Sequence, residues 1–129
     1  MSKEAVRTEA APAPFQGAPY SQAIKANGFV FVSGQLGLRP GEGQIVDGGI
    51  TPQTEQVMAN LAAILGAAGS SLRNLVKTMV FLQHLEDFQA MNEVYAQHVG
   101  PVPPARATVE VAKLPSGALV EIEAVALLD

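Results

Sequence analysis

Neither cysteine nor tryptophan occurs among the 129 residues of this chain. Without thiols there can be no disulfide, no thiolate nucleophile and no cysteine-built metal site. The two histidines, His84 and His98, do not fall into a metal-ligand pattern, so no metal is expected. Eight Lys and Arg stand against twelve Asp and Glu, and the basic residues never cluster. A net charge of −4 without a basic patch offers no electrostatic footprint for nucleic acid or an anionic membrane. No apolar run can span a bilayer, because Glu121 and Glu123 interrupt the best one. Glu4, Arg7 and Glu9 occupy the stretch where a signal peptide would be apolar, and a cytoplasmic protein is expected. Aromatics are only 5% of the chain, so the core has to be built from Val, Leu, Ile and Ala.

What is present suffices for one domain. Apolar residues make up 48% of the chain, which excludes a disordered segment. Residues 1–14, rich in Ala and Pro, read as a mobile or edge segment before a single domain over 15–129. Asn27-Gly28 between two apolar runs is a strong hairpin signal, with Phe29 to Gln35 as its second strand. A Gly-rich loop over 37–49 leaves room for a short strand near Gln44-Ile45-Val46.

Thr51-Pro52 predicts a helix start, with Thr51 as N-cap. Val57, Leu61, Ile64, Leu65 and Ala68 form its buried stripe, and Gly69 its stop. Leu75 to Leu82 is a strand of high β propensity. Asp87 is expected to cap a second helix with the face Phe88, Met91, Val94 and Tyr95, ended by Gly100 and the prolines after it. Ala107–Ala112 and Leu119–Leu127 are the last strands.

Hairpin, helix, strand, helix, strand, strand describes an α+β sandwich with two helices on one face of a sheet. Val109, Val111, Val120 and Ile122 alternate with polar residues, and two helices shield only one side. The second face is therefore expected to be covered by further copies of the chain in a closed homo-oligomer.

Arg106 is the residue that most needs an explanation. A guanidinium cannot give up its proton, so among apolar neighbours it requires an anion. The anion is either a carboxylate of the protein (Glu110, Glu121 or Glu123) or that of a ligand, held by both oxygens in the planar fork. Glu121 and Glu123 share one face of the last strand; they are either solvated or available to hold a water near Arg106. Gly34 allows close approach to the backbone, whereas Ser33 beside it has no His–Asp pair to activate it. Tyr20 and Asn92 read as packing and surface residues in isolation. Gly37, Gly41 and Gly43 do not lead a strand into a helix, which disfavours a nucleotide loop. By themselves these residues point to a metal-free site for a small anion.

Six segments together carry a resemblance: Gly17-Ala18-Pro19-Tyr20-Ser21-Gln22-Ala23, Val32-Ser33-Gly34-Gln35, Val76 to Leu82, Met91-Asn92-Glu93-Val94-Tyr95, Pro104-Ala105-Arg106 and Val120 to Ala124. The chain resembles the reactive intermediate deaminase family (RidA, also called YjgF) from about Ala18 to Leu127. The resemblance implies a chorismate-mutase-like fold, a homotrimer with clefts between subunits, and hydrolysis of 2-enamino and 2-imino acids to 2-oxo acids and ammonia. Typical substrates are 2-aminoacrylate and 2-iminopropanoate. It implies that Arg106 clamps the substrate carboxylate, helped by the Gly34 N–H, and that Glu121 orients the water with the Thr108 carbonyl. Tyr20, Ser33 and Asn92 would line the pocket, from more than one chain, with no cofactor. Many of these deaminases have cysteine where this chain has Thr108. The alternatives are a non-catalytic carboxylate-binding or regulatory trimer and, disfavoured by the acidic charge, a ribonuclease or translation inhibitor.

Overall fold

The computed structural model describes residues 2–129. Its elements are β1 (Glu4–Val6), β2 (Ala23–Ala26), β3 (Phe29–Leu36), α1 (Ile50–Ala68), β4 (Leu75–Leu82), α2 (Phe88–Ala96), β5 (Ala105–Glu110) and β6 (Val120–Leu127). The strands form one mixed sheet in the order β1-β2-β3-β6-β4-β5. Only β4 and β5 run parallel, as they must when α2 carries the chain back between them.

The β2–β3 hairpin closes at Asn27-Gly28, both left-handed at φ 55° and 84°, the geometry whose twist matches the flanking strands. The first helix starts one residue before the expected cap. Gly49, at φ 86°, turns the chain into Ile50, and the Gln53 N–H closes the first helical bond on the Gly49 carbonyl at 3.2 Å. Thr51 therefore lies inside the first turn and caps nothing. Asp87 makes no side-chain cap either, because a 3-10 turn over Leu85–Asp87 runs directly into α2. At the other end of α1, Gly69 stops the helix as expected.

The core lies between the two helices and the sheet face beneath them. Val57, Leu61, Ile64 and Leu65 of α1 and Met91 of α2 meet Val30, Val80, Val120 and Ile122, all 0% exposed. Removing that much aliphatic surface from water, at roughly 25 cal/mol per Å², is the main term holding the helices to the sheet. Val120 and Ile122 are thus buried within the chain, not by a second copy, because the pleat turns them towards the helices. The face left uncovered carries Phe31, Met79, Phe81 and Val125 around Glu123. Phe31 is 46% exposed there.

Residues 4–6 pair along the outer edge of β2. Beyond them the chain is tied down by one buried side chain, Gln22. Its Oε1 accepts from the Thr8 N–H at 2.8 Å, and its Nε2 donates to the carbonyls of Thr8, Ala11 and Pro12.

Candidate active site

Strand β3 is bulged. Val32 faces Ala124 and Gln35 faces Ile122, so three steps along β3 match two along β6 and Ser33-Gly34 carries the extra residue. The bulge presents Gly34 directly to the Glu121 side chain. A Cβ at Gly34 would lie 2.9 Å from Glu121 Cδ, so only glycine leaves the carboxyl group in this position. Ser33 donates its hydroxyl proton to the Ser21 carbonyl at 2.6 Å, which fixes the bulge and leaves the oxygen only as an acceptor.

Tyr20, Ser33, Gly34, Glu121 and Glu123 line one cavity of about 490 Å³, walled on its apolar side by the segment before Tyr20. Glu121 is half-buried. Desolvation, and secondarily the neighbouring Glu123 carboxylate, hold its carboxyl above the ordinary value. Glu123 is exposed and faces outwards as well, among the apolar side chains of the uncovered face.

Arg106 lies elsewhere. It pairs in register with Thr78, which is fully buried under α2 and shares a 2.6 Å hydroxyl–hydroxyl hydrogen bond with Tyr95. Directly paired residues point to the same side of a sheet. Arg106 therefore projects on the helix side, and Glu121, paired with the partly exposed Phe81, projects on the other. The guanidinium stacks 4.8 Å from the Tyr95 ring centre and 5.5 Å from that of Phe88. Such stacking holds a cation without neutralising it.

Among the described residues no carboxylate forms an ion pair with Arg106. Glu110 instead accepts the Leu85 N–H at 2.8 Å. Arg106 and Asn92 line one cavity of about 450 Å³, in which the buried Asn92 Oδ1 has no hydrogen-bond partner among the described residues. Asn92 is thus a cavity residue and not a surface amide. Thr108 is partly buried on the same strand as Arg106 but lines neither cavity.

The seven expected residues therefore fall into two groups. Tyr20, Ser33, Gly34 and Glu121 meet on one side of the sheet; Arg106 and Asn92 meet on the other; Thr108 joins neither. The rings of Phe88 and Tyr95 were expected only as core, although Phe88, Asn92 and Tyr95 recur at spacings of four and three that put them on one helix face beside Arg106. The histidines stay outside both groups, with His98 Nε2 3.4 Å from Glu55.

Known proteins resemble this chain along nearly its whole length. The sequence pattern described as Endoribonuclease L-PSP matches residues 8–128. A RutC family protein of Pyrococcus horikoshii is 52% identical over 96% of this chain and 97% of its own length. The human 2-iminobutanoate/2-iminopropanoate deaminase is 44% identical over 91% of this chain and 85% of its own. The chain belongs to the RidA/YjgF family. The fold agrees as well: the crystal structure of RidA from an Antarctic Psychrobacter superposes with a TM-score of 0.92 at 42% identity, covering 97% of this chain and 99% of that one.

Proposed function

We propose that this RidA-family chain hydrolyses short 2-imino acids, and the 2-enamino acids that tautomerise to them, to 2-oxo acids and ammonia. One observation carries the reading: a stacked arginine without a carboxylate partner opens onto the same cavity as a buried, unpartnered amide oxygen. Leaving both unmet is costly, and a small carboxylic acid bearing an N–H group meets both.

In this reading Arg106 holds the substrate carboxylate by both oxygens, and the bulge at Gly34 offers backbone contact close by. The imine carbon is already electrophilic. Glu121 accepts a proton from the water that attacks the protonated imine, which gives the neutral carbinolamine; it returns that proton to the nitrogen and takes up the hydroxyl proton as the C–N bond breaks, ammonia leaves and the carbonyl closes. A carboxyl held above its ordinary value is suited to taking and returning that proton.

Arg106 and Glu121 lie on opposite sides of one sheet, so a complete site needs the Arg106 side of one copy and the Glu121 side of another. The apolar face around Phe31 supplies a surface for such assembly, and a homotrimer with three shared sites follows from the reading.

Mixing tests both points. Arg106→Ala and Glu121→Gln should each abolish turnover of 2-iminopropanoate generated in solution. Combined under subunit exchange, they should recover roughly a quarter of the wild-type rate, the share of interfaces that inherit both intact residues. Wild-type protein without any acceleration sinks the enzyme reading, and binding of pyruvate alone would then favour a carboxylate-binding trimer. Salt-sensitive cleavage of RNA would instead support the activity in the family's description.

A further inference from the structure

The cavity that holds Glu121 and Gly34 is polar at that end and apolar at the other, where Pro12, Ala13 and Phe15 face it. Phe15 is 40% exposed and does not belong to the hydrophobic core. Its backbone is pinned on both sides. The Phe15 N–H donates to the Tyr20 hydroxyl at 2.7 Å, and the Ala18 N–H donates to the Phe15 carbonyl at 3.0 Å. Between those contacts Gln16 is left-handed at φ 52°, a conformation that costs a non-glycine residue about 1–2 kcal/mol. Just upstream, the buried Gln22 amide fixes the backbone from Thr8 to Pro12. Two polar anchors thus fix the backbone that carries a ring lying outside the core.

We infer that Phe15 is the residue that sets which substrate side chains the site accepts, as a fixed wall facing the apolar end of the Glu121 cavity. The inference rests on the deaminase reading for its substrate class and on Phe15 for its size limit. A cavity of about 490 Å³ exceeds the need of a three- or four-carbon imino acid. Phe15 bounds the space left beside such an acid, so a branched or aromatic side chain in the productive pose meets the ring. Tyr20 contributes a second effect. Because its oxygen accepts from the Phe15 N–H, its own proton remains free to donate to a bound ligand. Ligand and wall are then linked through one hydroxyl.

The test compares kcat/KM for the imines of alanine and of leucine, each generated by an amino-acid oxidase, in wild type, Phe15→Leu and Phe15→Ala. The ratio of leucine-derived to alanine-derived imine should rise about tenfold in Phe15→Ala, with Phe15→Leu between, since a few methylene groups of added space are worth that much. A ratio within twofold of wild type, or equal losses on both substrates, overturns the inference; equal losses are what a merely structural role would give. If Phe15→Ala does not fold, Phe15→Leu decides on the same criterion. If wild type accelerates neither imine, the deaminase reading fails separately, and the wall is judged by calorimetry with pyruvate and 4-methyl-2-oxopentanoate. Selective tightening of the larger acid in Phe15→Ala supports it. An unchanged preference, or no binding of either acid, overturns it.

Discussion

Gly34→Ala separates the geometry of the site from the stability of the fold. The new methyl carbon would lie 2.9 Å from Glu121 Cδ and 3.1 Å from its Cγ, too close for carbon atoms to remain. Gly34 is not left-handed, so the backbone itself accepts alanine. The obstructing atoms are the tip of a flexible side chain on the uncovered face, which can swing away. Off-rotamer displacement costs about 0.5–1.5 kcal/mol. Loss of backbone freedom in the unfolded chain returns about 0.4–1 kcal/mol. The two nearly cancel, and Tm should stay within about 5 °C of wild type. Activity has no such compensation, because displacing a carboxylate by an ångström costs about 10²-fold.

Gly37→Ala is the control. Its Cβ would meet Gln53 Cα at 3.0 Å and the Gln53 carbonyl oxygen at 3.1 Å, and the backbone of α1 cannot swing aside. Overpacking there should cost about 1–3 kcal/mol, with kcat/KM retained below the melting range. Thermal melts and turnover of 2-iminopropanoate decide the comparison. A Gly34→Ala variant with activity within threefold of wild type would refute the placement of Glu121; one that melts below Gly37→Ala would refute the packing argument.

Three further outcomes are expected. The carboxyl of Glu121 is held above its ordinary value in the folded state, so its ionised form costs stability fully above the folded value and not at all below the unfolded one, near 4.3. Glu121→Gln should therefore raise Tm at about pH 7 and leave it unchanged near pH 3, while turnover is lost; equal shifts at both values contradict the assignment. Tyr95→Phe strands the buried Thr78 hydroxyl and should cost about 1–3 kcal/mol in urea unfolding, and it should also weaken pyruvate binding if the ring's electron density helps hold Arg106. Phe31→Glu, on the uncovered face, should shift the protein to a monomer by light scattering with its far-UV CD preserved; an unchanged mass contradicts a copy-covered face.

Much of the fold is legible because local chemistry and tertiary need coincide. Asn27-Gly28 can hardly do other than close a hairpin, and the spacing Val57, Leu61, Ile64, Leu65 leaves α1 a single face to bury. Helix starts were less legible. Thr51 and Asp87 have the chemistry of caps, but a left-handed Gly49 and a 3-10 turn reached the helices first, and backbone geometry outranks side-chain preference there. The segment before Phe15 has few local signals, since its shape comes from Gln22, which lies ten or more residues away in sequence.

For the site, the sequence by itself determined the chemistry: one guanidinium, two alternating carboxylates, a glycine where backbone must be approached, and no thiol or metal cluster. Those are properties of residue types and survive any folding. Tertiary structure alone decided the partners. The sheet register sends Arg106 under the helices onto Tyr95 and Phe88 and sends Glu121 to the other face against the β3 bulge, while Glu110, on the same face as Arg106, is taken by the Leu85 N–H. The physical reason is the pleat. Two side chains a strand apart share a face or are divided by a whole sheet according to register, and register is set by long-range pairing that no local pattern encodes.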